Sequence, residues 1–321
     1  MAYATAKSVN HSLIPVVDIG PLRDGSDPLA VARALHQASQ DVGFIYISNH
    51  GIAPETLRAV RQTALDFFSG PPEIKDSARI TAKHRGWLSQ GGARMGDDQK
   101  ADLKESFVWG WQDSAGATPE DHPLRGANNW PAAQPALEAA AMRWFGEAHA
   151  VAAQLMRGFA LGLDKPEDLF LPAAGQPMSR GSFVYYPPQP AEMGADQFGV
   201  GPHTDFGVLT VLAQDDVGGL QVQTVEGDWI DAPPLADTLV VNVGDLLARW
   251  TNDSYISTPH RVVNSSGRER LSMVLAYDPE PLTMIDPRNV FGADVETAYE
   301  PITCGDYLEW RFRKAFAYRK E

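Results

Sequence analysis

The spacing of hydrophobic residues changes part-way along this 321-residue chain. Before about residue 175, apolar positions recur every three or four residues, which predicts amphipathic helices over 28–42 and 54–69. Each of these segments has a proline at a first-turn position. The stretch 43–50 between them predicts a strand. A longer apolar stripe, from Leu137 to Phe159, predicts one long helix that Gly162 and Pro166 end.

From about residue 178 the period changes to two. At least seven short β-rich segments follow, separated by Gly, Asp, Asn or Pro turns and without intervening helices. This pattern favours an antiparallel barrel or jelly roll over a doubly wound sheet. A final amphipathic stretch at 305–318 predicts a C-terminal helix.

We therefore expect an α+β fold in which helices pack on one side of a jelly-roll core. The chain is predicted to form one unit over 1–321. Its parts are a mainly helical region at about 1–175, the core at about 178–285 and a C-terminal helix at about 303–318.

Composition limits the possible partners. The formal net charge of −14 disfavours nucleic acids and anionic membrane surfaces. Cys304 is the single cysteine, so no intrachain disulfide can form. The first residues lack the apolar core of a signal peptide, and no run of 18 apolar residues occurs. These features predict a cytoplasmic protein that acts on a small molecule, and they leave its oligomeric state open.

One histidine stands two positions before a carboxylate, in the segment Gly201-Pro202-His203-Thr204-Asp205. On a strand, residues i and i+2 point to the same side, so His203 and Asp205 could bind one metal ion together. With eight histidines in the chain, this spacing alone is a weak signal. A surface histidine beside a turn aspartate is the plainer interpretation.

His260, on a later predicted strand, adds a second imidazole. Two histidines and one carboxylate form the facial triad of non-haem Fe(II) oxygenases, which leaves adjacent coordination positions open. Ten positions after His260, Arg270 and Ser272 again stand two apart, following the hairpin-like turn 264–267. We expect the strands of His260 and Arg270 to be neighbours that face one cavity. A guanidinium binds a carboxylate bidentately and a serine hydroxyl adds a donor, which suits one end of a dicarboxylate.

Together these residues resemble the isopenicillin N synthase-like family of 2-oxoglutarate/Fe(II)-dependent dioxygenases, whose double-stranded β-helix carries an HxD, a distal His and an RxS. The resemblance covers nearly the whole chain. It extends to Gly43-Phe44-Ile45, Asn49-His50-Gly51-Ile52, Lys104-Glu105-Ser106-Phe107, Tyr185-Tyr186-Pro187, Gly218-Gly219-Leu220-Gln221-Val222 and Asn242-Val243-Gly244-Asp245.

The resemblance implies a set of cofactors and roles. Fe(II) would be bound by His203, Asp205 and His260, and 2-oxoglutarate by Arg270, Ser272 and Tyr186. With O2, such an enzyme oxidises a small organic molecule, by default hydroxylating it, and releases succinate and CO2. The sequence does not identify the substrate.

The residues that contact the substrate have weaker sequence signals than those that bind the metal and 2-oxoglutarate. Many plant members have Asn at the position of Val184, so one polar contact to 2-oxoglutarate is expected to be missing. Alternation places Ser182 and Val184 on the same face as Tyr186, where both are predicted to contact the substrate. By resemblance, Arg85, Trp87 and Phe107 are predicted to cover the pocket mouth and contact the substrate, with a solvated surface charge as an equal alternative for Arg85.

Two other functions remain open from the sequence. The first is an Fe(II) oxidase of the same family that uses no 2-oxoglutarate, since such members also keep the RxS pair. The second is a β-helix protein that binds a ligand or metal without turnover. Succinate formation would separate the first from the main hypothesis, and oxygen consumption would separate the second.

Overall fold

The computed structural model describes residues 3–7, 13–92, 100–113, 122–171, 175–189, 194 and 196–316. Helices in this part of the chain are α1 Gly20–Asp24, α2 Pro28–Asp41, α3 Pro54–Phe68, α4 Pro72–Ser77, α5 Pro135–Gly162, α6 Asp245–Trp250, α7 Arg288–Phe291 and α8 Cys304–Ala315. Strands are β1 Val16–Asp18, β2 Phe44–Ser48, β3 Gly86–Leu88, β4 Glu105–Gly110, β5 Arg180–Tyr186, β6 Val200–His203, β7 Leu209–Ala213, β8 Leu220–Gln223, β9 Trp229–Asp231, β10 Leu239–Val243, β11 His260–Val262, β12 Arg270–Tyr277, β13 Met284–Ile285 and β14 Ile302–Thr303.

The long helices begin and end close to the predicted positions. The side chain of Asp27 caps α2 by accepting a hydrogen bond from the backbone N–H of Ala30 at 3.1 Å. After α2 the chain turns through Gly43, whose φ of +69° favours glycine; an added Cβ would also lie 2.2 Å from the carbonyl oxygen of Ile256. The C-terminal helix ends at Ala315, and residues 317 and 318 of the predicted helix lie outside the described part.

Two facing sheets form the core of the described residues. The larger has the strand order β1-β2-β10-β7-β12-β5-β4-β3, and the smaller has the order β6-β11-β8-β9. Apart from the parallel pair β1 and β2, their neighbouring strands run antiparallel. Residues of both sheets, such as Val184 and Val262, share one buried cluster between them. This arrangement is the predicted jelly roll.

Side-chain alternation separates the two faces of the large sheet. On β12, Leu271, Met273 and Leu275 belong to the main hydrophobic core, to which helices α2, α3 and α5 contribute. Arg270 and Ser272 point to the opposite face, where they line a cavity between the sheets. The helices therefore cover the outer face of the large sheet, and the face between the two sheets is left for a binding site.

One detail of the predicted pairing is wrong. The segment 264–267 does not close a hairpin, because β11 pairs with β6 and β8 in the small sheet, whereas β12 pairs with β5 and β7 in the large one. The turn crosses from one sheet to the other. His260 and Arg270 consequently face one cavity from opposite walls rather than from neighbouring strands.

Within the described residues, no helix is long and apolar enough to cross a membrane.

Candidate metal centre and cosubstrate pocket

Three ligand atoms converge at one end of the cavity between the sheets. The Nε2 atoms of His203 and His260 lie 3.8 and 3.7 Å from Oδ1 of Asp205. All three potential ligand atoms lie within 4.8 Å of one another, so a single metal ion can contact them all. The structure thus brings together the three residues that the sequence predicts as metal ligands.

The two histidines are held by strand pairing. His203 ends β6, His260 begins β11, and the two residues are directly paired in the small sheet. Asp205 lies beyond the end of β6, so the chain turn rather than strand alternation brings its carboxylate to the histidines. The backbone N–H of Asp245 donates to the carbonyl oxygen of Asp205 at 2.8 Å and fixes this turn.

The remaining polar atoms of the three residues are also occupied. Nδ1 of His203 lies 2.8 Å from the carbonyl oxygen of Gly201, and Nδ1 of His260 lies 3.2 Å from that of Thr258. Hydrogen bonds from Nδ1–H to these carbonyls leave the Nε2 lone pairs directed at the metal position. The Oδ2 atom of Asp205 accepts hydrogen bonds from Thr210 Oγ1 at 2.5 Å and Asn242 Nδ2 at 2.8 Å.

The pKa values of His203 and Asp205 are shifted in the directions that favour binding of a cation. Burial, together with the charge of His260, lowers the pKa of His203 to about 3, so its imidazole is neutral at physiological pH. Burial acts to raise the pKa of Asp205, but the two imidazoles and the donors Thr210 and Asn242 outweigh it and hold that pKa below its ordinary value. Two imidazoles and one carboxylate match the donor set of non-haem iron sites.

Replacing Asn242 with alanine should weaken iron binding by about 10- to 100-fold, because Asp205 loses one of the two donors that orient its carboxylate. Competition with a chromogenic iron chelator measures this affinity. The matched control is Asn264→Ala, since Asn264 is a buried asparagine that bonds to Arg268 outside the cavity. Wild-type iron affinity in Asn242→Ala would remove this residue from the metal site.

Arg270 lies across the cavity from the metal position and is 1% exposed. Its Nε donates to the carbonyl oxygen of Gly218 at 2.6 Å and its Nη1 to Ser272 Oγ at 2.6 Å. Its Nη2 is buried without a hydrogen-bond partner among the described residues. Tyr186 is paired with Arg270 in the sheet, and its ring lies 4.7 Å from the guanidinium carbon. The structure therefore brings Arg270, Ser272 and Tyr186 together, and the free guanidinium nitrogen fits a carboxylate oxygen.

Ser182 and Val184 line the same cavity, which has a volume of about 220 Å³. Sequence reasoning missed several other side chains in its wall: Lys104, Arg180, Phe206, Thr210, Asn242, Phe312 and Phe316. Arg180 could have been found, since it stands two residues before Ser182 on the same strand face. The two phenylalanines near the C-terminus could not, because only the packing of α8 brings them to the cavity mouth.

The structure does not bring Trp87 and Phe107 into the cavity, which corrects the prediction for both. Phe107 is paired with Phe183, Trp87 is paired with Phe107, and all three belong to the core on the helical face of the large sheet. Trp87 donates from Nε1 to Glu105 Oε2 at 2.8 Å. Strand alternation instead turns Ser106 and Val108 towards the cavity side, opposite Val184 and Ser182.

Arg85 likewise does not line the cavity. It is 2% exposed, donates from Nη1 to the carbonyl oxygens of Lys83 and His84, and packs its guanidinium over Gly110. Neither the predicted substrate contact nor the solvated surface charge describes this buried position.

Comparison with known proteins agrees with this geometry. Residues 181–279 match the 2OG-Fe(II) oxygenase superfamily, and residues 14–133 match the N-terminal region of non-haem dioxygenases in morphine synthesis. A 2-oxoglutarate-Fe(II) type oxidoreductase of Metarhizium rileyi is 34% identical, over 95% of this chain and 88% of its own length. The chain belongs to the 2-oxoglutarate/Fe(II) oxygenase superfamily.

The chain is also similar to a plant hydroxylase and to a fungal protein of known crystal structure. A homoarginine-6-hydroxylase of Glycine max is 32% identical to this oxygenase, over 87% of this chain and 89% of its own. The crystal structure of a full-length Neurospora crassa protein in complex with alpha-KG and thymine superposes with a TM-score of 0.83 at 31% identity, covering 96% of this chain and 98% of that one. This oxygenase is thus an Fe(II)- and 2-oxoglutarate-dependent dioxygenase with a jelly-roll core, acts on small molecules, and requires O2.

Proposed function

We propose that the oxygenase hydroxylates a small organic molecule in the cavity between its two sheets. One observation carries this proposal: the three converging ligand atoms and the Nη2 of Arg270, which has no hydrogen-bond partner among the described residues, line the same cavity between the sheets. A dicarboxylate that reaches from the metal to Arg270 would satisfy both ends.

In this proposal His203, Asp205 and His260 hold iron(II), and Arg270, Ser272 and Tyr186 hold the far carboxylate of 2-oxoglutarate. Bound iron(II) supplies O2 activation coupled to the conversion of 2-oxoglutarate to succinate and CO2. The chain's own part is to fix the three ligands, to orient the cosubstrate and to keep water from the reacting atoms. The buried walls formed by Val184, Leu212 and Leu220 contribute this dry surface.

The substrate would occupy the end of the cavity away from Arg270. There β5 presents Ser182 and then Arg180, whose guanidinium is paired with Asp278 at 3.0 Å and lies 4.7 Å from the ring of Phe312. Phe206 and Phe316 complete an aromatic wall at this end. Such a surface suits a molecule with an apolar or planar body.

The proposed function is tested by screening fractionated metabolite extract for substrate-stimulated succinate formation. Wild-type enzyme loaded with Fe(II), 2-oxoglutarate and O2 should respond to at least one fraction, and mass spectrometry should find a product heavier by one oxygen atom. His260→Ala serves as the inactive control. Stimulated succinate with a dehydrogenated or cleaved product would contradict hydroxylation while preserving the enzyme class.

Ser182→Phe should abolish the stimulation of succinate formation by the active fraction, because the larger ring fills the substrate end of a cavity of about 220 Å³. The affinity for 2-oxoglutarate should stay close to wild type, since Ser182 is four residues from Tyr186 along β5. Unchanged stimulation in this variant would place the substrate elsewhere.

We further propose that the chain works as one catalytic unit in the cytoplasm. Two observations support this: α5 packs directly on β5, β7 and β12, and Cys304 is the sole cysteine, so the chain forms no intrachain disulfide. The net charge of −14 further supports a small-molecule substrate over nucleic acid. Fractionation of the source cells tests the location.

A further inference from the structure

We propose that Asp215 is a positioning residue for 2-oxoglutarate, because it fixes the guanidinium of Arg270 in the orientation that binds the far carboxylate. This inference rests on the proposed function. Asp215 is not among the described residues that line the cavity, so its effect on the cosubstrate passes through Arg270.

The side chain of Asp215 is buried between the end of β7 and the start of β12, and it is 1% exposed. Its Oδ2 accepts a hydrogen bond from the backbone N–H of Leu271 at 2.6 Å, and its Oδ1 accepts one from that of Val217 at 2.9 Å. Arg61 on α3 adds a positive charge 3.4 Å from Oδ2. Both carboxylate oxygens thus bind backbone N–H groups.

The bond to Leu271 continues the sheet beyond the end of β7. The pairing of β12 with β7 stops at Met273 and Ala213, and β7 itself ends at Ala213. Leu271 lies two residues before Met273, and Asp215 lies two residues after Ala213. The carboxylate therefore takes the place of a strand carbonyl and satisfies the N–H that lies between the two cosubstrate residues of β12.

The bond to Val217 shapes the turn that supports Arg270. An aspartate that accepts a hydrogen bond from the N–H two residues later forms an Asx turn. The turn continues through Gly218, which has a φ of +79° and whose carbonyl oxygen accepts a hydrogen bond from Nε of Arg270 at 2.6 Å. Asp215 therefore holds both the strand that carries Arg270 and the turn whose carbonyl orients it.

These two bonds of Asp215 determine where Nη2 of Arg270 points. The guanidinium is planar, and its other two nitrogens are bonded to Gly218 and Ser272. Nη2 is thereby fixed as well, and it has no hydrogen-bond partner among the described residues. A donor that is oriented before binding lowers the entropic cost of holding the carboxylate. Without Asp215, that cost would be met when 2-oxoglutarate binds.

The test measures the 2-oxoglutarate affinity of Asp215→Asn by anaerobic titration of the Fe(II)-loaded protein. Asparagine has the size of aspartate but only one acceptor oxygen, so its NH2 group faces the N–H of either Val217 or Leu271. The affinity should fall roughly 10- to 30-fold, as expected when one orienting hydrogen bond is lost. Iron affinity should match wild type, because the hydrogen bonds of Asp215 lead away from the three metal ligands.

Ser179→Ala is the matched control, because Ser179 makes a buried bond of the same kind at the opposite end of β12. Its hydroxyl oxygen accepts a hydrogen bond from the backbone N–H of Asp278 at 3.0 Å. This variant should lose thermal stability, as Asp215→Asn does, but keep wild-type affinity for 2-oxoglutarate. A merely structural role for Asp215 would make the two variants alike in both measurements.

A double variant tests whether Asp215 acts through Arg270. Lysine at position 270 has no guanidinium for Gly218 to orient. Adding Asp215→Asn to Arg270→Lys should therefore weaken 2-oxoglutarate by less than about twofold beyond the effect of Arg270→Lys alone. If Asp215→Asn caused the same loss in both backgrounds, it would act by another route and the inference would be wrong.

Wild-type 2-oxoglutarate affinity in folded Asp215→Asn would also overturn the inference, while the proposed function would stand. If Asp215→Asn does not fold, Asp215→Ser, which keeps one acceptor oxygen, is titrated in its place and read in the same way. A wild-type protein that does not bind 2-oxoglutarate would instead contradict the proposed function.

Discussion

Alanine in place of His203, Asp205 or His260 is expected to abolish iron-dependent turnover of 2-oxoglutarate. The three ligand atoms lie within 4.8 Å of one another, and each supplies one of three protein bonds to a single ion. Losing one removes both affinity and the geometry that keeps adjacent coordination positions open. Bound iron measured after desalting, together with succinate formed, should fall to background for each variant.

The fold should survive these changes, because the three side chains meet at the cavity rather than in the hydrophobic core. Thermal unfolding of the metal-free proteins checks this. Asp216→Ala is the matched control for Asp205→Ala, since Asp216 is exposed and pairs with Arg268 on the surface. If His203→Ala kept near-normal iron content and turnover, the metal site would be misassigned.

Arg270→Lys is expected to weaken 2-oxoglutarate more than 100-fold while leaving iron affinity close to wild type. Lysine loses the bonds to Gly218 and Ser272 that orient the guanidinium, and it replaces the free Nη2 with a mobile point charge. A loss of about 3 kcal/mol in binding free energy corresponds to this factor. Anaerobic calorimetry on the Fe(II)-loaded protein measures both affinities.

An unchanged 2-oxoglutarate affinity in Arg270→Lys would favour one of the two alternatives left open by the sequence, the Fe(II) oxidase that uses no 2-oxoglutarate. A parallel loss of iron would instead indicate that the substitution disturbs the sheet. Hydrogen exchange of the Leu271 amide measures such a disturbance. This N–H donates to Asp215 Oδ2 at 2.6 Å, so it should exchange faster if the sheet is disturbed.

The sequence predicts correctly those helices and strands that are marked by residues within or next to them. Pro28, Pro54 and Gly162 mark helix ends, and the change of period near residue 178 marks the start of the jelly roll. The HxD spacing, His260 and the RxS pair were sufficient to predict which residues meet, because the family's strand order brings them to one cavity. The α+β class and the enzyme class are confirmed.

The sequence predictions were wrong where a side chain's direction depends on strand register, or where its place depends on packing between segments far apart in the chain. Phe107 was expected in the pocket, but pairing with Phe183 turns it to the helical face, one residue out of phase with Ser106. The turn after His260 was expected to form a hairpin, yet it crosses between sheets. Lys104 and Phe312 reach the cavity only through contacts between segments far apart in the chain.

The most direct test of the central claim measures O2 consumption and succinate formation in the same reaction vessel. The protein is supplied with Fe(II), 2-oxoglutarate and the active metabolite fraction, and each component is omitted in turn. The account predicts equal amounts of O2 consumed and succinate formed, full dependence on Fe(II), and no reaction with His260→Ala. Oxygen consumption without succinate, or undiminished turnover in His260→Ala, would contradict it.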